Sequence, residues 1–148
     1  MDKHEPDPRV ASDTQKMNNL SQAALLSIKK YPFKVILENS YFQKIPNFGP
    51  KLYKNGSTYS GQYFKGSRCG VGQESYPDGS GFTGNWEYDK KKGKGALYFA
   101  NGSVYLGNFA NNKFSGQGKF YSTEGNYTYE GTFSNGLKEG QGNIVYKD

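Results

Sequence analysis

The stretch "YLGNFANNKFSGQG", residues 105–118, sets two aromatics four apart around a glycine, adds an Asn-Asn pair, and closes on two glycines two apart. Glycine offers no side chain to packing and loses the most backbone entropy on folding. Alternating it with large rings therefore needs a reason, and the pattern recurs. "YSGQYFKGSRCGVG" starts at Tyr59, "FTGNWEYDKKKGKG" at Phe82 and "YEGTFSNGLKEGQG" at Tyr129. The first glycines are Gly61, Gly84, Gly107 and Gly131 and the last are Gly72, Gly95, Gly118 and Gly142, so both series step by 23, 23 and 24 residues. Gly79, Gly102 and Gly125 follow seven residues later in three copies, and Gly49 with Gly56 marks a half-copy over 48–58. A fixed period in this range is the mark of a repeat architecture.

One copy reads as two antiparallel strands. Side chains alternate along a strand, so Tyr105, Gly107 and Phe109 share a face while Leu106 and Asn108 take the other. The turn position three after the second aromatic holds Gly66, Asp89, Asn112 and Gly136. These are residue types that tolerate a left-handed backbone, which predicts positive φ there. Second turns fall at "NGST" from Asn55, "PDGS" from Pro77 and "ANGS" from Ala100. Asn-Gly and Asp-Gly between β-type runs are strong hairpin signals. Rings laid across the ladder onto bare glycine backbone explain the alternation, each cross-strand pair contributing roughly 0.2–1 kcal/mol.

This spacing of "YxGxW/F/Y" and "GxG" resembles the MORN repeat (membrane occupation and recognition nexus). The resemblance covers residues 48–148, with a half-repeat at 48–58 and repeats at 59–81, 82–104, 105–128 and 129–148. It departs at the second aromatic, which is Trp only at Trp86 and otherwise Tyr63, Phe109 and Phe133. The resemblance implies an all-β fold: an elongated, single-layered antiparallel meander with an open groove. Eight to ten strands would span on the order of 40–50 Å.

Composition agrees with a thin sheet. Hydrophobic residues are 34%, aromatics 16%, and there are 20 glycines among 148 residues. The net charge of +6, from 19 basic and 13 acidic side chains, is spread along the chain. A nucleic-acid surface would gather it into a stripe. One cysteine, Cys69, excludes an internal disulfide and points to a reducing compartment. The acidic, proline-bearing start "MDKHEPDPRV" lacks the look of a secretory or transit peptide.

Residues 1–17 read as a flexible tail and 18–47 as a helix with a degenerate capping strand or two in "PFKVILENSYF". "NNLSQAALLSIKK" carries a cap in Asn19 or Ser21, good formers from Ala23 to Ile28, and a stop at Tyr31-Pro32. Leu20, Ala24 and Ile28 form one stripe with Leu25 beside it, the expected docking face.

Nothing reads as catalysis. His4 is the lone histidine and sits in the tail, and the carboxylates lack metal-ligand spacing. The "GxG" pairs do not open helices, as a phosphate loop would require. No enzyme, cofactor, metal, nucleic acid or small-molecule substrate is expected. The run Lys90, Lys91, Lys92 with Lys94 has two readings, an anionic-lipid contact or a solvated loop. The aromatics Tyr59, Tyr63, Phe82, Trp86, Tyr105, Phe109, Tyr129 and Phe133 are expected to stack on glycine, with some meeting a partner in the groove, because one layer cannot hide both faces. The reading that results is a scaffold or adaptor contacting other protein subunits of a large complex. The resemblance makes a cytoskeletal setting the expectation, sharpest as an axonemal, radial-spoke-like one. The alternative is a peripheral membrane tether reading phosphoinositides through its lysine loops.

Overall fold

The computed structural model describes residues 20–33 and 46–147. The expected tail, most of the capping-strand segment, Asn19 and His4 lie outside the described residues. Helix α1 (Gln22–Lys30) precedes β1 (Phe48–Leu52), β2 (Thr58–Phe64), β3 (Ser67–Ser75), β4 (Gly81–Glu87), β5 (Lys90–Tyr98), β6 (Val104–Ala110), β7 (Lys113–Ser122), β8 (Tyr127–Ser134) and β9 (Leu137–Tyr146). Among the described residues these strands make one nine-stranded sheet in chain order, every neighbour antiparallel. It is the meander that the repeats predict.

Two kinds of turn alternate. Within a repeat the hairpins are two residues long: Lys65-Gly66, Tyr88-Asp89, Asn111-Asn112 and Asn135-Gly136. Both residues of each have positive φ, from 47° at Tyr88 to 84° at Gly136. That backbone matches the twist of the flanking strands. The prediction for the second position holds, and the first position shares the conformation.

Between repeats the turn is an aromatic, any residue, Asn or Asp, Gly, Ser. Asn55, Asp78 and Asn101 each accept the backbone N–H of the serine two residues on, at 2.8–2.9 Å. The glycine between them, at φ 90–95°, completes the bend. The fourth site, Thr123–Asn126, lacks this chemistry.

The glycine pairs lie in register as Gly61↔Gly72, Gly84↔Gly95, Gly107↔Gly118 and Gly131↔Gly142, joined by Gly72↔Gly84, Gly95↔Gly107 and Gly118↔Gly131. A row of bare backbone thus runs across the sheet, and the first aromatic of each repeat lies on it. A Cβ on Gly95 would stand 2.6 Å from Phe82 Cε1, and one on Gly118 2.6 Å from Tyr105 Cε2.

The opposite face carries α1. Ser21 is its N-cap, and the hydroxyl accepts from Ala24 N at 3.0 Å. Lys29 and Lys30 occupy the last turn, where cations suit the dipole. Tyr31 leaves the helical region before Pro32. Nine residues are marginal as an isolated helix, so its order comes from docking.

Candidate interaction surfaces

The eight predicted rings form one file. Tyr63, Tyr59, Trp86, Phe82, Phe109, Tyr105, Phe133 and Tyr129 follow one another at centroid distances of 5.0–5.5 Å, with planes 75–90° apart. The first aromatic of one repeat meets the edge of the second aromatic of the next. Edge-to-face pairs of this kind contribute about 0.5–1.5 kcal/mol each beyond burial. Trp86 Nε1–H donates to Gly72 O at 3.1 Å, which satisfies the one indole in the file.

Seven of the eight are 0–4% exposed, and Tyr63 is half-buried. The expectation that rings of this set face a groove partner is corrected for those seven. Their faces are taken by one another, by glycine backbone and by a second rank including Tyr53, Tyr76, Phe99, Phe114 and Phe120. A one-layer sheet hides its rings because each repeat adds two that interleave with those of the next.

The position four before the last glycine of a repeat holds Arg68, Lys91, Phe114 and Lys138. Each lies on the ring face. Arg68 packs over Trp86 at 4.7 Å and Tyr53 at 5.0 Å, and Lys91 over Trp86 and Tyr76 at 5.1 Å. Phe114 stacks on Tyr105 at 3.8 Å, and Lys138 lies 5.3 Å from the Tyr129 ring.

Two carboxylates complete the cluster. Arg68 Nη1 reaches Glu74 at 2.8 Å, Arg68 Nε reaches Asp89 at 3.1 Å, and Lys91 Nζ reaches Glu74 at 3.4 Å. Both cations have side chains 13% exposed, and the two carboxylates are more deeply buried. Burial works against the Arg68 charge, but Glu74 and Asp89 more than offset it and hold its pKa above the usual value. For Lys91 burial wins over Glu74, and the ammonium pKa is lowered.

Asp89 also clasps the neighbouring repeat. It accepts from Arg68 N at 2.9 Å, and its own N–H donates to Arg68 O at 3.0 Å. Asn112 does the same with Lys91, at 2.8 and 3.2 Å. The sequence shows these two as turn formers; their second task needs the adjacent hairpin, 21 residues away.

The structure divides the lysine run. The Lys91 side chain is largely covered by the rings and paired with Glu74, which corrects its reading as a free anionic contact. Lys90 and Lys94 are exposed, and Lys92 pairs with Glu87 at 3.1 Å. Alternation along β5 sends Lys91 to the ring face and leaves Lys90, Lys92 and Lys94 on the other.

On the helix, Ala24 is fully buried against Ala96, Tyr98 and Val104, with Leu20 and Ile28 packed alongside. Leu25 does not dock: it is 39% exposed, and Leu26 beside it 64%. The stripe is narrower than expected because α1 meets the turns as well as the sheet. Ser21 N donates to Gly79 O at 2.9 Å, Ser21 Oγ to Ala100 O at 2.7 Å, and Ser27 Oγ to Gly102 O. Tyr98 OH donates to Tyr31 O at 2.7 Å, and Tyr31 stacks on Tyr121 at 4.1 Å. The turn glycines allow this approach; a Cβ on Gly102 would stand 3.3 Å from Ala23 Cβ.

Among the described residues the exposed large hydrophobics are Leu25 and Leu26 on α1, Phe48 on β1, Tyr88 in the β4–β5 turn, and Leu137, Ile144, Val145 and Tyr146 on β9. Among the described residues no helix is long and apolar enough to cross a membrane.

Comparison with curated proteins gives no match. Comparison with protein families matches the MORN repeat at residues 59–81, 82–104, 105–127 and 129–148, more than half of the chain. The matched segments are the hairpins whose rings and glycines build the sheet, and the chain belongs to the MORN-repeat family.

Proposed function

We propose that this protein is a non-catalytic scaffold or adaptor that docks into a larger protein assembly. MORN repeats are non-enzymatic modules that mediate protein or lipid interactions, which makes a binding scaffold the coarse role. The finer reading favours protein partners. The observation that carries it is where the exposed large hydrophobics stand. Leu25 and Leu26 line the outer side of α1, and Leu137, Ile144, Val145 and Tyr146 line β9. Patches of this kind on an otherwise consumed ring ladder suit a protein interface.

A lipid-reading tether draws less support. Lys91 is committed to Glu74 and the rings, and Lys92 to Glu87. Clustered lysines near an anionic membrane contribute about 1 kcal/mol each, and with Lys91 turned inward the run keeps three on one face, Lys90, Lys92 and Lys94. A cytoplasmic, cytoskeletal location, in its sharpest form a radial-spoke-like axonemal complex, is the proposed setting.

Native purification with chemical crosslinking tests the reading. Crosslinks from Lys29, Lys30, Lys138 and Lys147 to other subunits are the expected outcome, with little sedimentation on phosphoinositide vesicles at physiological salt. Strong vesicle binding that disappears in a Lys90/Lys92/Lys94→Glu variant would replace the scaffold reading with the membrane one. Imaging of the tagged protein at a membrane rather than on cytoskeletal structures would do the same for its location.

A further inference from the structure

The strands β3, β5 and β7 each receive the next repeat in one register. The glycine row pairs Gly72↔Gly84, Gly95↔Gly107 and Gly118↔Gly131. Two residues before it, Gly70↔Trp86, Gly93↔Phe109 and Gly116↔Phe133 place a second aromatic opposite a glycine. Two residues after it, Glu74↔Phe82, Leu97↔Tyr105 and Phe120↔Tyr129 place a first aromatic.

The glycine opposite the second aromatic is shaped before that aromatic arrives. Gly70, Gly93 and Gly116 have φ of 95°, 86° and 72°, and they lie where the pairing with the preceding strand shifts register. The bulge belongs to the repeat's own hairpin.

Strand β9 carries the same set. Gly142 continues the glycine row, and Ile144 takes the place of Glu74, Leu97 and Phe120. Gly140 takes the place of Gly70, Gly93 and Gly116, with φ 66° and no atom within 4 Å of a built Cβ. All ten residues of β9 are exposed, and among the described residues no strand pairs with its outer side. Tyr129, last in the ring file, has Phe133 on one side as Tyr105 has Phe109. Tyr105 also meets Phe133 of the following repeat, and Tyr129 has no such counterpart among the described residues. Lys138 occupies the repeat position from which Arg68 covers Trp86 at 4.7 Å; its Nζ donates to Tyr127 OH at 2.7 Å and stands 5.3 Å from the Tyr129 ring.

We propose that the outer edge of β9 binds, antiparallel, an extended polypeptide of the pattern aromatic-x-Gly-x-aromatic. Its glycine lies against Gly142, its first aromatic against Ile144, and its second aromatic opposite Gly140 under the Lys138 ammonium. Main-chain hydrogen bonds along the edge hold the segment, and the two ring positions select it. A second copy's β9 does not meet the requirement, because β9 carries no aromatic two residues either side of Gly142. The inference deepens the scaffold reading by naming the partner's chemistry. Its test is separable from that reading, since it needs neither native partners nor lipid.

The probe is a fluorescein-labelled peptide of the Ser80–Tyr88 sequence, SGFTGNWEY, titrated into the 148-residue chain. Saturable binding is expected, with amide hydrogen exchange slowed across residues 137–146 and little changed elsewhere. A peptide with both aromatics replaced by alanine leaves the protein untouched and should bind about tenfold more weakly or worse. Lys138→Ala and Gly140→Val in the protein should each weaken the parent peptide, with circular dichroism confirming that the sheet persists. The proposal is overturned by absence of binding at the highest soluble peptide concentration. Equal binding of the alanine peptide, or protection away from β9, would overturn it too. So would concentration-dependent protection of β9 in the free chain, which would assign the edge to a second copy.

Discussion

The Phe82 ring lies on Gly95 so closely that a Cβ there would stand 2.6 Å from Cε1 and 2.7 Å from Cζ. Gly95 is buried, and its conflict is with the ring rather than with backbone conformation. Gly95→Ala should therefore destabilise the sheet by about 1–3 kcal/mol through overpacking. Combining it with Phe82→Leu should cost less than the sum of the two changes, since both act on one contact. Gly136→Asn is the control, because Asn112 fills the same turn position one repeat earlier at φ 68°. It should stay within about 0.5 kcal/mol of the parent protein. Urea unfolding measures all four.

Ser21 ties helix capping to docking with one hydroxyl, which accepts from Ala24 N and donates to Ala100 O. Ser21→Ala should cost about 1–2 kcal/mol. The more specific readout is hydrogen exchange. Amides of α1 should exchange faster while those of β8 and β9 keep their protection, because the helix touches the turns around Gly79 and Gly102 and reaches no further than Tyr121 on β7. Uniform acceleration across the sheet would show that α1 is integral to it rather than docked on it.

The buried ions around Arg68 are replaceable only together. Arg68→Ala strips Glu74 and Asp89 of a partner and should cost about 3–5 kcal/mol. The next repeats hold other solutions at the same positions: Phe114 for Arg68, Leu97 for Glu74 and Asn112 for Asp89. Lys91 also pairs with Glu74, so the quadruple variant Arg68→Phe, Glu74→Leu, Asp89→Asn, Lys91→Met should recover most of the loss, since apolar residues can substitute for a buried ion cluster. Denaturation midpoints of the single and quadruple variants decide it.

Neighbouring lysines should respond differently. Lys91→Ala removes a cation packed on Trp86, Phe82 and Tyr76 and paired with buried Glu74, so it should cost at least about 1 kcal/mol. Lys90→Ala, on an exposed side chain, should change stability by less than about 0.5 kcal/mol. Thermal unfolding of the pair is sufficient.

Alkali should loosen the helix seam. Burial pushes the Tyr98 phenol up to about 12 from the ordinary 10.0, so its ionised form is disfavoured in the folded protein. The unfolded tyrosine loses its proton first. The contribution is intact below pH 10 and is lost as pH rises from there toward about 12. Tyr105, also raised to about 12 by burial, adds to the same trend. Thermal midpoints followed through this range should fall, and Tyr98→Phe should fall less steeply than the parent protein. Equal slopes would remove Tyr98 from the alkaline transition.

The sequence alone shows the repeat, its hairpins, the aromatic–glycine ladder and the capped helix. These follow from rules acting within a few residues: alternation along a strand, the left-handed tolerance of Gly, Asn and Asp, and an N-cap serine before helix formers. It also named the eight rings that make the file. It takes the folded chain to show that those rings face one another, that Lys91 is largely covered while Lys90 is exposed, and that Leu25 points away from the sheet. Folding alone brought Arg68 to Asp89, 21 residues apart, and left Gly140 open on the edge of β9. The reason is register. Which side chains meet across a ladder depends on the bulges in every hairpin and on how consecutive strands slide against each other. A spacing rule along one strand does not contain that information.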